Sequence, residues 1–119
     1  MSIQSYRDLR VWQEAMNLAE AVYRLTKRFP KDELFGLTSQ MRRASVSIPA
    51  NIAEGYGRES IGAYVQFLRV SQGSLKELET HALLAHRIGI LMELDMNALL
   101  SSAETTGKML RALIRSLEK

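Results

Sequence analysis

Between Tyr64 and Ala85 the sequence places Tyr64, Leu68, Ser71, Leu75, Leu78, Ala82 and Ala85 at separations that alternate four and three without a break. Only an α-helix brings such positions onto one side, so the run predicts a long amphipathic rod with one stripe to bury. Phe67 lies on the same side. Ser60 is the expected N-cap and Gly89 the expected stop, with His86 and Arg87 in a last turn whose dipole favours positive charge. Ser71, Gly73 and Ser74 are small or helix-poor residues in mid-run, which implies the close approach of a neighbouring helix, at a propensity cost of about 1 kcal/mol for the glycine.

Three further segments carry the same kind of stripe. Helix one is expected from Tyr6 to Phe29, with Val11, Ala15, Leu18, Val22, Leu25 and Phe29 as a heptad-like seam. A second line, Trp12, Met16, Ala19, Tyr23 and Thr26, runs beside it. A face that wide either sits centrally in a bundle or meets another subunit, which makes Trp12, Met16 and Tyr23 the candidate oligomer interface. Arg24, Lys27 and Arg28 complement the dipole at its end, Pro30 closes it, and Asp32 and Glu33 open helix two.

Helix two buries Leu37, Met41, Ala44, Ile48 and Ile52. Pro49 has no N–H for the Ser45 carbonyl and its ring crowds that carbonyl, so a kink is expected there. Ser45, Ser47, Ala50 and Ala53 leave room for it, and Asn51 is placed to satisfy a freed carbonyl. Gly55 and Gly57 supply permissive backbone to end the helix. Helix four is expected from Glu93 to the C-terminus on Met96, Leu99, Ala103, Thr106, Leu110, Leu113 and Leu117, with Lys108, Arg111, Arg115 and Lys119 as a basic line on its outer side. Four helices with short connections make an all-α, antiparallel up-and-down four-helix bundle, one domain over residues 1–119.

Charge is spread unevenly. Residues 1–58 carry nine Lys/Arg against six Asp/Glu, residues 59–104 three against six, and residues 105–119 four against one. Basic ends around an acidic middle can form a patch that attracts phosphate backbones, or can be solvated helix faces that complement one another. No cysteine occurs, which excludes disulfides and thiolate metal sites and fits a reducing cytosol. The start of the chain has no apolar run behind a basic segment, and no window approaches a membrane span, so the expected location is the cytoplasm.

Chemistry finds no foothold. A di-iron bundle needs Glu-x-x-His pairs, whereas His81 and His86 follow Leu78 and Leu83 by three residues. Glu77 and His81, four apart, form a lone pair without a second motif. The methionines fit packing seams, no phosphate loop follows a strand, and no nucleophile elbow is present. No metal, no cofactor and no enzymatic activity are expected.

The sequence resembles the small four-helix-bundle family found as reading frames inside intervening sequences of bacterial 23S ribosomal RNA genes. The likeness rests on Leu9-x-Val11-Trp12 with Ala15, on Val22-Tyr23-x-x-Thr26-x-x-Phe29-Pro30, and on Gly36-Leu37-x-x-Gln40-x-Arg42-Arg43-Ala44. It continues through Ser47-Ile48-x-x-Asn51-Ile52-Ala53-Glu54-Gly55, Gly57-Arg58, Phe67-Leu68 and Gly73-Ser74-x-x-Glu77-Leu78-Glu79. The resemblance implies five-subunit rings and a likeness to the accessory protein of diversity-generating retroelements, which partners a reverse transcriptase and binds nucleic acid through basic surfaces. Arg42, Arg43 and Arg58 match that pattern and are candidates for phosphate contacts, while Lys108, Arg111 and Arg115 are candidates by this chain's own spacing.

Glu54, Glu77 and Glu79 also match, and the alternative is that they pair with those arginines across helices or subunits. Pro49, Asn51, Glu54, Gly55, Gly57, Glu77 and Glu79 thus form the expected structural motif. The function expected is a non-enzymatic homo-oligomer, a pentamer by resemblance, that binds RNA or DNA. The competing expectation is a protein-interaction module that binds no nucleic acid.

Overall fold

The structure, a computed structural model, describes residues 2–119. Four long helices fill it: α1 (Arg10–Thr26), α2 (Ser39–Tyr56), α3 (Ile61–Arg87) and α4 (Glu93–Leu117). At a rise of about 1.5 Å per residue the 27 residues of α3 span about 40 Å, close to the 44 Å long axis of the molecule. Neighbouring helices pack in the cyclic order α1, α2, α3, α4, leaving α1 across from α3 and α2 across from α4. Polar contacts fix the directions as antiparallel. Arg42 near the start of α2 reaches Thr26 at the end of α1, Arg28 just past α1 meets Asp95 at the start of α4, and Arg69 early in α3 meets Glu118 just past α4.

The stripes read from the sequence are the core. Val11, Ala15, Leu18 and Val22 of α1, Met41, Ala44, Ile48 and Ile52 of α2, Leu68, Leu75, Leu78, Ala82 and Ala85 of α3, and Leu99, Ala103 and Leu110 of α4 are buried together. Ser71 and Thr106, polar members of two seams, are fully enclosed. Their hydroxyls are spent inside: Ser71 donates to the Ile48 carbonyl of α2 at 2.8 Å, and Thr106 donates to the Ser102 carbonyl of its own helix at 3.0 Å.

Several boundaries differ from expectation, each for a local reason. Helix one does not begin at Tyr6: Tyr6–Asp8 is a separate 3-10 turn, and Leu9 behind it is extended (φ −74°, ψ 124°). Ser5 accepts from the Arg7 N–H while Asp8 accepts from the Ser5 N–H, a reciprocal cap that satisfies these groups in a short turn of their own. At its far end α1 stops at Thr26, three residues short of Phe29, which remains buried beyond it. Helix two is also shorter than expected. Lys31–Glu33 is a 3-10 turn and Leu34–Thr38 a π-type turn, with Gly36 far from helical angles (φ −106°, ψ −112°). Glu33 turns back to accept from the Leu37 N–H at 3.1 Å.

Pro49 lies buried inside α2, which runs on helically from Ser39 to Tyr56. Asn51 does bind a main-chain carbonyl, but that of Ser47, at 2.8 Å, and not the Ser45 carbonyl that Pro49 leaves without its usual donor. Gly89 ends α3 as expected, at φ 87°, with the Ile90 N–H reaching back to the Ala85 carbonyl at 3.0 Å. Gly55 and Gly57 have no such backbone requirement, since Gly89 alone among the described residues has a positive φ. Gly55 is needed for space instead: a Cβ there would lie 2.8 Å from the Phe67 Cβ and 3.1 Å from the Tyr64 carbonyl oxygen.

Candidate nucleic-acid interface

Arg42 and Arg43 are neighbours on α2 that meet different surroundings, because adjacent residues project about 100° apart. Arg42 turns toward α1. Its Nε donates to the Thr26 hydroxyl at 2.8 Å, and its guanidinium lies 4.7 Å from the centre of the Tyr23 ring. The Thr26 hydroxyl donates in turn to the Val22 carbonyl at 2.7 Å, so it is held as an acceptor toward the arginine. Arg43 is exposed, donates to the Gln40 side chain at 2.7 Å, and lies close enough to His81 of α3 to act on its charge. Neither arginine has a carboxylate within 4 Å among the described residues.

Arg58, Lys108, Arg111 and Arg115 lie toward the opposite end of the bundle. Arg58 pairs with Glu54 at 3.5 Å and covers the Phe67 ring at 4.7 Å. Lys108 pairs with Glu104 at 3.4 Å. Both are exposed pairs one helical turn apart, worth little in water and readily exchanged for another anion. Arg111 and Arg115 are exposed and meet no carboxylate within 4 Å among the described residues. Arg111 stands at the rim of a groove of about 560 Å³ between α3 and α4, floored by Leu75, Ala103 and Gly107 and edged by Lys76, Glu79 and Glu104. The helix order therefore divides the six candidate cations. Arg42 and Arg43 sit at the end where α2 starts, and the α4 line sits at the end where α4 finishes, on helices that face each other across the core.

The three family-pattern carboxylates do not pair with the α2 arginines. Glu54 meets Arg58, Glu77 meets His81 at 3.6 Å, and Glu79 meets Lys76 at 3.2 Å, each within one helical turn. His81 is largely buried, its Nδ1 has no hydrogen-bond partner, and desolvation holds its pKa below the ordinary value of 6.5 although Glu77 pulls it up. Burial of the charged form outweighs one exposed carboxylate.

The candidate interface residues of α1 are unequal. Trp12 is half-buried, edge-on to Tyr6 with ring centres 5.3 Å apart, and packs against the core. Met16 and Tyr23 are 39% and 42% exposed and, with Val46 and Pro49 of α2, line an open groove of about 420 Å³. Of the small residues in α3, Ser74 meets the Ser47 hydroxyl of α2 at 2.8 Å and Ser71 meets Ile48, as a close helix contact requires. Gly73 does not take part: it is exposed, and nothing lies within 4 Å of where its Cβ would be.

Sequence reasoning missed two features here. Lys27 and Lys31 join Arg42 around one pocket, because the turns between α1 and α2 fold the chain back on itself; a one-dimensional charge count holds no sign of that. Phe35, in the π-type turn ahead of α2, is 91% exposed.

No group of three or more His, Cys, Asp or Glu side chains suited to a metal occurs among the described residues, and none of their helices is long and apolar enough to cross a membrane. No curated protein matches the chain. Among solved structures, a protein of unknown function from the S23 ribosomal protein family of Bacteroides thetaiotaomicron superposes with a TM-score of 0.82 at 21% identity, over 87% of this chain and 97% of that one. That likeness shows the fold. The family model described as 23S rRNA-intervening sequence protein matches residues 7–112, nearly the whole bundle, and the chain belongs to that family.

Proposed function

We propose that the chain is a non-enzymatic, homo-oligomeric accessory or scaffold module of the cytoplasm that holds RNA or DNA by its phosphates. The family's description ties its members to ribosomal RNA genes, and a nucleic acid is the partner whose chemistry the free cations suit. The observation that carries the reading is that Arg42, Arg43, Arg111 and Arg115 have no carboxylate within 4 Å among the described residues. Cations left unpaired on a stable scaffold are available to phosphates. No helix stands out as a base reader, so binding is expected to follow backbone charge and not sequence. The five-subunit ring is the assembly proposed, with the Met16 and Tyr23 groove at a subunit contact.

The test is titration of the protein with a labelled RNA–DNA duplex at several salt concentrations. Each phosphate contact adds about 0.9 to the slope of log affinity against log salt, so alanine at Arg43, Arg111 and Arg115 together should reduce that slope by about 3 and weaken binding throughout. All three side chains are exposed, so the fold should persist. Undiminished binding by the triple variant would refute the reading.

A protein-interaction module is the second reading, and a specific observation favours it. Phe35, Met92 and Leu94 are 91%, 73% and 82% exposed, more apolar surface than one copy needs to leave open. Light scattering with an electrophoretic shift assay separates the two: this alternative self-associates or binds protein and gives no shift at physiological salt.

A further inference from the structure

At the junction of α1 and α2 the chain forms a pocket of about 280 Å³ whose polar lining is Thr26, Lys27, Lys31, Thr38 and Arg42. No carboxylate lines it. Of the acidic residues around it, Glu33 caps the Leu37 N–H, Asp95 of α4 pairs with Arg28, and Asp32, beside Lys31, is exposed and outside the pocket lining. Arg42 is already positioned, with Nε fixed on the Thr26 hydroxyl and its plane against Tyr23. Its two Nη nitrogens have no acceptor among the described residues. That leaves free the edge of a guanidinium that binds two phosphate oxygens at once, in a side chain whose freedom is already lost.

From this pocket we infer that the chain binds a phosphomonoester dianion between Arg42, Lys27 and Lys31. Three cations with no compensating anion exceed what an internal phosphodiester, with its single charge, can neutralise. A monoester near pH 7 carries close to two charges and three strong acceptor oxygens. The volume equals that of about nine water molecules, enough for a phosphate and part of an attached sugar. Two sources present this group: the 5′-terminal phosphate of a nucleic-acid strand, and a free mononucleotide. The strand-end source rests on the nucleic-acid reading above, whereas the pocket itself does not.

The test uses the whole chain and begins with inorganic phosphate, followed by calorimetry or by NMR shifts of the Thr26 to Arg42 amides. Binding with a dissociation constant of about 1 mM or tighter at low salt is expected. It should weaken at least tenfold in Lys27→Gln/Lys31→Gln, two exposed positions at which the fold is not at stake. Arg42→Lys keeps the charge and loses the fork, and is expected to weaken binding as well. Absence of phosphate binding, or binding unchanged in both variants, overturns the inference.

The sources separate in a second arm that compares 5′-phosphorylated and 5′-hydroxyl oligonucleotides with adenosine 5′-monophosphate. A preference of tenfold or more for the phosphorylated strand, lost in Lys27→Gln/Lys31→Gln, assigns the pocket to strand ends. Tight monophosphate binding without strand discrimination assigns it to a nucleotide. Failure of the nucleic-acid reading appears elsewhere, in the duplex titration of the Arg43, Arg111 and Arg115 variant, and leaves phosphate binding by the pocket untouched.

Discussion

Two glycines of this bundle should respond to the same substitution in opposite directions. Gly73 lies inside α3, exposed, with no atom within 4 Å of an added Cβ, so Gly73→Ala removes backbone entropy and introduces no contact. In a helix interior that exchange is worth about 1 kcal/mol. Unfolding entropy of about 2.1 cal/mol/K per residue over 119 residues gives about 250 cal/mol/K, so the Tm should rise by about 4 °C. Gly55 lies in the last turn of α2, against α3. A methyl there would lie 2.8 Å from the Phe67 Cβ, 3.0 Å from the Tyr64 ring and 3.1 Å from the Tyr64 carbonyl. Two of these three neighbours are main chain or fixed to it, so the helices themselves must part. Overpacking of this kind costs about 3 kcal/mol at the upper end of its range; set against the same propensity gain, the net loss is about 2 kcal/mol, or a fall in Tm of about 8 °C.

Thermal melts followed by circular dichroism, at a dilute and at a concentrated protein stock, decide the matter. A Gly55→Ala protein as stable as the parent would refute the close approach of α2 and α3. A Gly73→Ala protein less stable than the parent when dilute would refute the propensity argument. Destabilisation seen only in the concentrated sample has a separate meaning: another copy packs on the outer face of α3, where Val70, Leu84 and Ile88 are exposed.

Further outcomes follow from single contacts. Ser71→Ala deletes the buried hydrogen bond to the Ile48 carbonyl and should cost about 1 kcal/mol, a Tm decrease of about 4 °C in the same melts. Arg58→Ala removes one exposed pair and one contact with Phe67, and should move the Tm by less than about 4 °C, a small effect that leaves Arg58 free to serve as a ligand contact. His81 has its pKa lowered by burial, so the unfolded chain binds the proton more readily than the folded one. Stability should therefore fall as pH drops below 6.5 and level off beneath the folded pKa. Denaturant midpoints measured on both sides of that range should show a slope that His81→Gln flattens.

The core was legible in the sequence because one rule governs it. Residues spaced by three and four on a helix share a side whatever their partners, so Leu18, Ile48, Leu78 and Leu110 were placed correctly from spacing alone. Helix ends were less legible. Whether Tyr6–Asp8 joins α1 depends on a competition between the Ser5 and Asp8 side chains and the next turn of backbone, and periodicity is silent on such contests. Gly55 and Gly73 show the same limit from another side. In sequence both are glycines in or near a helix, yet one is required by a neighbouring helix, whereas a Cβ added at the other would meet no atom within 4 Å among the described residues. The basic residues were the hardest to place. Arg42 and Lys31 are eleven positions apart and share a pocket because of two irregular turns, while Arg42 and Arg43 are adjacent and face different helices.

That division bears on how such a chain would hold a nucleic acid. Arg42 and Arg43 lie at one end of a molecule 44 Å long, and Arg111 and Arg115 lie toward the other, on the helix across the core. No flat surface on one copy presents all of them to one strand. Each end offers only a few phosphate contacts, and at about 0.9 per contact a single copy would give a shallow salt slope and weak affinity. Strong binding then requires several copies along one strand, where linkage raises affinity by orders of magnitude without any new contact. On the proposed reading, diluting the protein below its association threshold should reduce affinity and salt slope together. A dilute single copy that binds as tightly, and with as steep a slope, as the assembled form would show that the separated cation clusters are not what holds the strand.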